Sequence, residues 1–244
     1  MEVTLIDVMG DDLRVANAAR VSFNKESDWQ FMGKGWDRND PNQLHLTEQD
    51  QKLISYLVKH NHWTPFSHVQ ISLRERVPIF VARQRFKHMV GFTYNEVSRR
   101  YVDDPPEFFM PEEWRGRPVN AKQGSSEEVI TEIPYYFAYE VYDRSDLGKA
   151  KNIKYQYEEL IRITSGFYKT LIEAGVAPEQ ARMVLPQSMY TEYYVTGSLA
   201  AFARAYNLRA DPHSQQEIQD LAKMWNETIG GIKELEYSWK ALTE

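Results

Sequence analysis

Residues 69–77 place the strictest limit on the fold. Val69, Ile71, Leu73 and Val77 alternate with Gln70, Ser72, Arg74 and Arg76. A period of two puts the first set on one face of a strand and the second set on the other, so the strand is half buried. Pro78 then stands where a helix can begin, and Ile79 to His88 reads as that helix. Arg83 with Lys87, and Gln84 with His88, are i,i+4 pairs on it, a strip that could face one ligand.

The remaining elements are read in the same way. Glu2 to Val8 is a short strand, and Asp11 to Arg20 a helix capped by Asp11 or Asp12. Thr47 opens a helix to about Lys59, with Asp50 near the capping-box position and Leu53, Ile54, Leu57 and Val58 as its apolar face. Asp146 to Ala174 keeps helical period and stops at Gly175. Residues 188–196 are aromatic and β-prone, Ser198 to Tyr206 is a short helix, and Asp211 caps another from Pro212 to about Ile229. A last helical stretch fills 231–242. Residues 24–46 read as loop, and 102–145 as a long excursion with little regular structure before about 128. Helices outweigh strands without regular alternation. That predicts an α+β fold, a small mixed or antiparallel sheet packed by several helices. No repeat or linker divides the chain, so residues 1–244 are expected to be a single domain.

The chain has no cysteine. That excludes a disulfide framework, a cysteine zinc site, an iron–sulfur cluster and a cysteine nucleophile. A reducing, intracellular compartment fits. No apolar run approaches the roughly 20 residues of a membrane span, and the acidic stretch from Met1 to Arg14 lacks the shape of a signal peptide. A net charge of −6 argues against general nucleic-acid binding. Positive charge is concentrated locally, however. Arg74, Arg76, Arg83, Arg85, Lys87, Arg99 and Arg100 face only Glu75 and Glu96 between 74 and 101, a local charge of +5. Such a run is either a solvated face or an anion site.

Four groups could carry chemistry. His60, His62 and His68 invite a metal or nuclease reading, but no acid stands at ligand spacing, and His60 suits a helix end. No metal site is expected. Asn95 to Tyr101 offers Ser98, Arg99 and Arg100, which suit a phosphate. Glu96 there either neutralises Arg83 or Arg100, or orients a ligand hydroxyl or ring N–H. Ser98 has no base at nucleophile spacing. Arg182 before an apolar run, and Arg204 with Arg209, are ligand candidates or routine surface cations. Neither a dinucleotide glycine motif nor a P-loop is present.

Taken together, these segments resemble the flavin-dependent thymidylate synthases. Their motif is R-H-R-x-x-S-x-N-E-x-S-x-R-Y. Asn95-Glu96-Val97-Ser98-Arg99-Arg100-Tyr101 matches its second half in full. In the first half Lys87 and Met89 replace arginines, Thr93 replaces serine, and one extra residue precedes Asn95. Ala18 to Phe23, His62 to His68 (with Ser67 for an acid), Ala181 to Pro186, Asn207 to Asp211 and Gln215 to Ile218 match further family segments in order. The departures resemble a divergent, phage-type branch.

The resemblance implies reductive methylation of dUMP to dTMP by a homotetramer with shared active sites. The carbon comes from 5,10-methylenetetrahydrofolate, the electrons come from NADPH, and FAD relays the hydride. It implies dUMP contacts at Gln84, Lys87, Glu96, Ser98, Arg99, Arg100, Arg182 and Arg209. Arg209 would be catalytic, favouring ionisation of the uracil ring N–H. Ser22, His62, Thr64, Lys87, His88, Met89, Glu96, Ser198 and Arg204 would line FAD, with His62 near folate or flavin. Ser198 and Arg204 stand where the family often has amides. A cytoplasmic location is implied, that of the host for a phage enzyme, with no nucleic-acid or membrane partner. Other readings stay open on the residues alone. One is a different flavin- or nucleotide-binding oxidoreductase, or a catalytically degenerate homologue. Another is a nucleic-acid-binding protein using 74–101.

Overall fold

The computed structural model describes residues 1–31, 44–102, 104–119, 124–136 and 149–244. In chain order the elements are β1 (Glu2–Met9), α1 (Asp12–Arg20), β2 (Gln30–Phe31), β3 (Leu44–His45), α2 (Glu48–Lys59), β4 (Gln70–Pro78), α3 (Ile79–Arg85), β5 (Phe92–Glu96), β6 (Glu132–Pro134), β7 (Ala150–Asn152), α4 (Ile153–Glu173), α5 (Pro178–Ala181), β8 (Tyr190–Ser198), α6 (Leu199–Arg209), α7 (Gln216–Gly230) and α8 (Glu236–Thr243). The fold is α+β, as the sequence predicts. Its main sheet has the order β1-β4-β8-β5, with β1 antiparallel to β4 from Glu2 opposite Arg76 to Met9 opposite Gln70. The chain divides into two compact units. Residues 1–76, 84–95 and 192–244 make the first, and 77–83 and 96–191 make the second.

In the first unit, α6 packs on α7, α7 on β1, and α2 on α8. Val15, Ile54, Phe66, Phe202, Ile218, Leu221 and Trp225 are buried there. Two caps fix the helix starts. Thr47 caps α2 as predicted, its side chain accepting the N–H of Asp50 at 3.1 Å; its hydroxyl donates to the Asp50 carboxylate at 2.7 Å, a bond between side chains in place of the backbone bond of a capping box. Asp11 caps α1 by accepting the Arg14 N–H at 2.7 Å. Asp12, the other predicted candidate, instead accepts the N–H groups of Tyr237 and Ser238 at 2.8 and 2.9 Å. It therefore caps the first turn of α8 from a distant part of the chain. Burial pushes its carboxyl up to about 6.

In the second unit, α4 is capped by Asn152, whose side chain accepts from Lys154 and Tyr155. Gly175, at φ +83°, ends it as predicted. Tyr157 donates to the Phe109 carbonyl at 2.9 Å, and Phe109 and Tyr190 tie the preceding segment to β8 through Ser188 and Glu107. Only Gln156 and Tyr168 of α4 are buried, while Tyr155, Leu160, Ile163 and Phe167 are exposed.

Several predicted boundaries move, among them the last helical stretch, expected over 231–242 and found as α8 from Glu236, and the helix expected to end at Tyr206, which runs to Arg209. The helix after Pro78 ends at Arg85 and not at His88, because Tyr94 Oη donates to the carbonyls of His88 and Arg85 at 2.7 and 3.3 Å. The pairing of Arg83 with Lys87 and of Gln84 with His88 along one helix is therefore lost. The segment after it becomes β5, entered through Gly91 at φ +82°, where a Cβ would sit 2.9 Å from Ala201 Cβ. The long helix begins at Ile153 because residues 150–152 pair with β6; its predicted start, 146–148, lies outside the described residues. The helix after Asp211 begins at Gln216, since Asp211 turns its carboxylate to the His213 N–H at 2.7 Å. The predicted loop at 24–46 contains the two-residue pair β2/β3, its middle, 32–43, lying outside the described residues.

The alternation in β4 holds, with Val69, Ile71, Leu73 and Val77 all at 0% exposure. Glu75 shares that buried face, also at 0%. Arg85, equally buried, reaches it at 3.2 Å. Tyr193 Oη donates to Glu75 at 2.6 Å and Trp225 Nε1 at 2.9 Å. The Arg85 guanidinium lies 4.3 Å from the Phe92 ring and 4.6 Å from that of Trp225. Burial, then the Glu75 charge, hold the Tyr193 hydroxyl well above its ordinary range, so it remains a donor. Removing one partner strands the other as a buried charge. Glu75→Ala is expected to lower the unfolding free energy by about 3–5 kcal/mol, read by urea denaturation. A loss below about 1 kcal/mol, the scale of an exposed pair, would contradict this.

Candidate active site

The second unit holds a cleft of about 540 Å³ lined by Ile79, Glu96, Ser98, Arg99, Arg100, Arg182 and Thr191, among others. Ser98 begins a turn whose carbonyl accepts from Tyr101 and Val102. Its hydroxyl accepts from the Arg100 N–H and Nε at 3.3 and 3.4 Å. The Arg100 guanidinium stacks 5.0 Å from the Tyr101 ring. Arg99 donates to the Asp104 carbonyl, and Arg182 Nε to that of Glu179 at 3.3 Å. Among the described residues no carboxylate pairs with Arg99, Arg100 or Arg182. Three uncompensated guanidiniums beside a hydroxyl make an anion-binding wall. Glu96 does not neutralise them. Its carboxylate accepts the Thr191 hydroxyl at 2.6 Å, which keeps an acceptor apart from the cations for a ligand hydroxyl or N–H.

The first unit holds a second cluster. Arg209, the last residue of α6, donates from Nε to His88 Nε2 at 2.8 Å and from Nη2 to the Gln84 carbonyl at 3.4 Å. His88 Nε2 is thus an acceptor, which requires the neutral ring protonated on Nδ1. Burial first, then the charges of Arg209, Arg85 and Arg204, pull His88 down to about 4. Burial also lowers Arg209 from its ordinary value. Gln84 Nε2 donates to Gln215 at 2.6 Å.

The same unit has a cavity of about 600 Å³ with an apolar floor of Leu57, Val58 and Phe66, walled by Trp63 and Leu208 and carrying His62, Arg204 and Asn207. Flat apolar walls with a few polar groups suit a planar ring system. Arg204 donates to the Val90 carbonyl at 2.5 Å, and the Ser198 N–H to that of Gly91 at 3.2 Å. The loop carrying the departures from the family motif is therefore pinned by α6, with Met89 and Val90 exposed.

The predicted residues thus fall into two sets. Glu96, Ser98, Arg99, Arg100 and Arg182 share the cationic cleft of the second unit. Gln84, Lys87, His88, Met89, Ser198, Arg204 and Arg209 lie in the first, with Ser22 and Thr64 exposed in short turns and His62 in the apolar cavity. His60 stands at the C-terminal end of α2, the place the sequence suggests for it. The positive run at 74–101 is dispersed: Arg74 pairs with Glu192 at 2.6 Å and Arg85 is buried on Glu75. Sequence reasoning missed Glu75, Thr191 and Glu217. Glu75 could have been found, as an acid on the apolar face of an alternating strand. Thr191 acquires its role through Glu96, distant in sequence, whereas Glu217 is bonded by its near neighbour Gln215.

Comparison with known proteins gives a consistent picture. The Thy1 family model, thymidylate synthase complementing protein, matches residues 4–231. The flavin-dependent thymidylate synthase of Thermosipho africanus is 38% identical over 218 residues, covering 89% of this chain and 81% of that protein. The enzyme of the same name from Thermus thermophilus is 32% identical over 242 residues, 99% of this chain and 75% of that protein. Among solved structures, a UMP/dUMP methylase, PolB from Streptomyces cacaoi, bound with 5-Br dUMP, superposes with a TM-score of 0.71 at 26% identity, covering 99% of this chain and 94% of that one.

His88 gives a pH signature. An unfolded histidine takes up its proton near 6.5, whereas this one does so only near 4. Between those values the unfolded chain binds more protons, so stability is full above about 6.5 and falls as pH drops toward 4. His88→Asn is expected to flatten that part of the stability–pH curve. An unchanged slope in the variant would show that His88 is not its source.

Proposed function

Because this chain belongs to the thymidylate synthase complementing proteins, the family of the flavin-dependent thymidylate synthases, we propose that its two clusters divide the handling of dUMP and FAD. The chain is a flavin-dependent thymidylate synthase: it methylates dUMP, and its cofactor is FAD. The proposal extends to 5,10-methylenetetrahydrofolate as carbon donor and NADPH as electron donor. The family match runs across both units, which supports treating 1–244 as one catalytic domain.

The observation that carries the assignment of dUMP is the set of guanidiniums around Ser98 that pair with no carboxylate among the described residues. Arg99, Arg100 and Arg182 with Ser98 would hold the phosphate, and Glu96, steadied by Thr191, would take a sugar hydroxyl or ring N–H. Gln84, Lys87 and Arg209 are proposed as further dUMP contacts. Arg209 places positive charge where negative charge develops on the uracil ring. Neutral His88 lets that guanidinium be held without a competing cation.

The apolar cavity with His62 and Arg204 fits a flavin ring, and Ser22, Thr64, Lys87, His88, Met89, Glu96 and Ser198 are proposed as further FAD contacts. FAD held by these residues would supply the hydride chemistry. The protein needs no nucleophile for this chemistry. It has no cysteine, and Ser98 is engaged by Arg100, with no histidine or carboxylate among the described residues bonded to it as a base. Its residues bind, orient and polarise. Dispersal of the 74–101 charges removes the support for a nucleic-acid groove.

The exposed apolar residues Leu160, Ile163 and Phe167 of α4 support assembly through that helix into a homotetramer with shared sites. Cysteine-free composition supports a cytoplasmic location. No described helix is long and apolar enough to cross a membrane.

Purified protein with FAD should show an oxidised-flavin absorbance band that shifts when dUMP is added. Arg209→Ala is expected to abolish NADPH-dependent dTMP formation while remaining folded, and Ser98→Ala to retain part of it. Wild-type turnover in folded Arg209→Ala, or a trapped Ser98–nucleotide adduct, would refute the assigned roles. Gel filtration should give a mass near four chains, and a monomer would exclude shared sites.

A further inference from the structure

The loop between α3 and β5 lacks a cation that the family motif carries, and α6 brings one to the same place. The motif sets two arginines in this loop. Lys87 keeps a positive charge at the first position, and Met89 removes it at the second. Met89 and Val90 are both exposed, so neither belongs to the core. Arg204 stands on α6 where the family often has an amide, and its Nη2 donates to the Val90 carbonyl at 2.5 Å. Consecutive Cα atoms lie about 3.8 Å apart. This guanidinium is therefore held within one residue of the place where the motif roots its arginine. The packing keeps it there. Ser198 caps α6 by accepting the Ala201 N–H at 3.2 Å, and a Cβ on Gly91 would meet Ala201 Cβ at 2.9 Å. The first turn of α6 is thus pressed on the loop, and Arg204 follows Ala201 by three residues, on the same face of the helix. Burial, and then the charges of Arg209, Arg85 and Arg204, keep the His88 ring neutral, so His88 adds no cation to the loop. Among the described residues no carboxylate pairs with Arg204. One of its donors is used on Val90, and the fork has others beside the apolar cavity that Arg204 lines.

We propose that Arg204 holds the diphosphate of FAD in place of the motif arginine, so that the cation has moved from position 89 of the loop to the helix that packs on it. The inference rests on the reading that the apolar cavity of the first unit takes FAD. FAD joins a planar ring to a diphosphate, so its site needs apolar walls and a cation close together. Leu57, Phe66 and Trp63 supply the walls, and Arg204 is the only arginine or lysine among the described residues lining that cavity. A guanidinium can give a phosphate two parallel N–H bonds. Arginine at both positions would set like charges beside each other, and methionine with an amide would leave the diphosphate without this cation. One arginine, at either position, meets the requirement.

The test titrates the flavin-depleted full chain with FAD and with riboflavin, which has the ring and lacks the phosphates, and reads binding from flavin fluorescence. Wild type, Arg204→Asn and the double variant Met89→Arg/Arg204→Asn are compared, with thermal melting as the check on folding. Arg204→Asn is expected to lower the ratio of the riboflavin Kd to the FAD Kd by about tenfold or more, the scale of a lost hydrogen bond to a charged group. The double variant is expected to recover most of that loss. Arg204→Gln, which keeps more of the side chain, is read in place of Arg204→Asn if the latter does not fold. A role confined to anchoring the loop through Val90 would weaken both ligands together and leave the ratio unchanged. An unchanged ratio in a folded variant therefore overturns the proposal and leaves the FAD reading standing. A lowered ratio that Met89→Arg does not recover overturns the exchange of positions. Wild-type protein that binds neither FAD nor riboflavin overturns the FAD reading, and the inference with it.

Discussion

A buried carboxylate–guanidinium pair is the constraint on which the first unit depends. Glu75 and Arg85 have no access to water, and two such charges are tolerable only if every remaining valence is met. Tyr193 and Trp225 complete the carboxylate, Tyr94 takes one end of the guanidinium, and Phe92 and Trp225 lie near its faces. These partners come from β4, α3, β5, β8 and α7. A hydrophobic cluster of similar size would tolerate slippage between those elements, whereas a buried, hydrogen-bonded ion pair does not. The chemistry also dictates where α3 ends. Arg85 turns inward, Tyr94 takes the carbonyls of residues 85 and 88, and His88 is left at the start of a loop with its ring against Arg209.

The two candidate clusters use opposite electrostatic strategies. The cleft of the second unit concentrates charge: Arg99, Arg100 and Arg182 lack anionic partners among the described residues, and Thr191 restrains the one acid beside them. The cluster of the first unit controls protonation. His88 is kept neutral by burial and by neighbouring cations, and Arg204 holds the loop beside it at Val90. One arrangement suits a phosphate and the other suits a heterocycle. Both are built from side chains whose partners were supplied by the fold.

The legibility of the chain follows the range of the forces involved. Alternation in β4, the Thr47 cap, the Asp11 cap and the Gly175 stop are local, and each is found where the sequence predicts it. The boundaries that moved were decided by distant groups. Tyr94 shortened α3, strand pairing of 150–152 with β6 delayed α4, and a side-chain turn at Asp211 delayed α7. Asp12 shows the same division within one residue pair: its neighbour serves its own helix, and it serves α8 at the other end of the chain.

By itself the sequence determined the fold class, the family and the residue types that could meet a nucleotide and a flavin, because periodicity, capping and motif order are properties of neighbours along the chain. It also determined that no cysteine can act as nucleophile. Only the tertiary structure decided which charges would be spent and which left available. Arg85 and Arg100 are the same residue type in the same basic run, yet one is buried on Glu75 and the other lines a cleft with no carboxylate partner among the described residues. Tertiary structure likewise decided that Glu96 is held by Thr191 and that Arg204 meets the loop at Val90. The physical reason is common to all three. The state of a charge is set by the partner it meets at hydrogen-bond distance, and those partners lie up to 114 residues away in sequence.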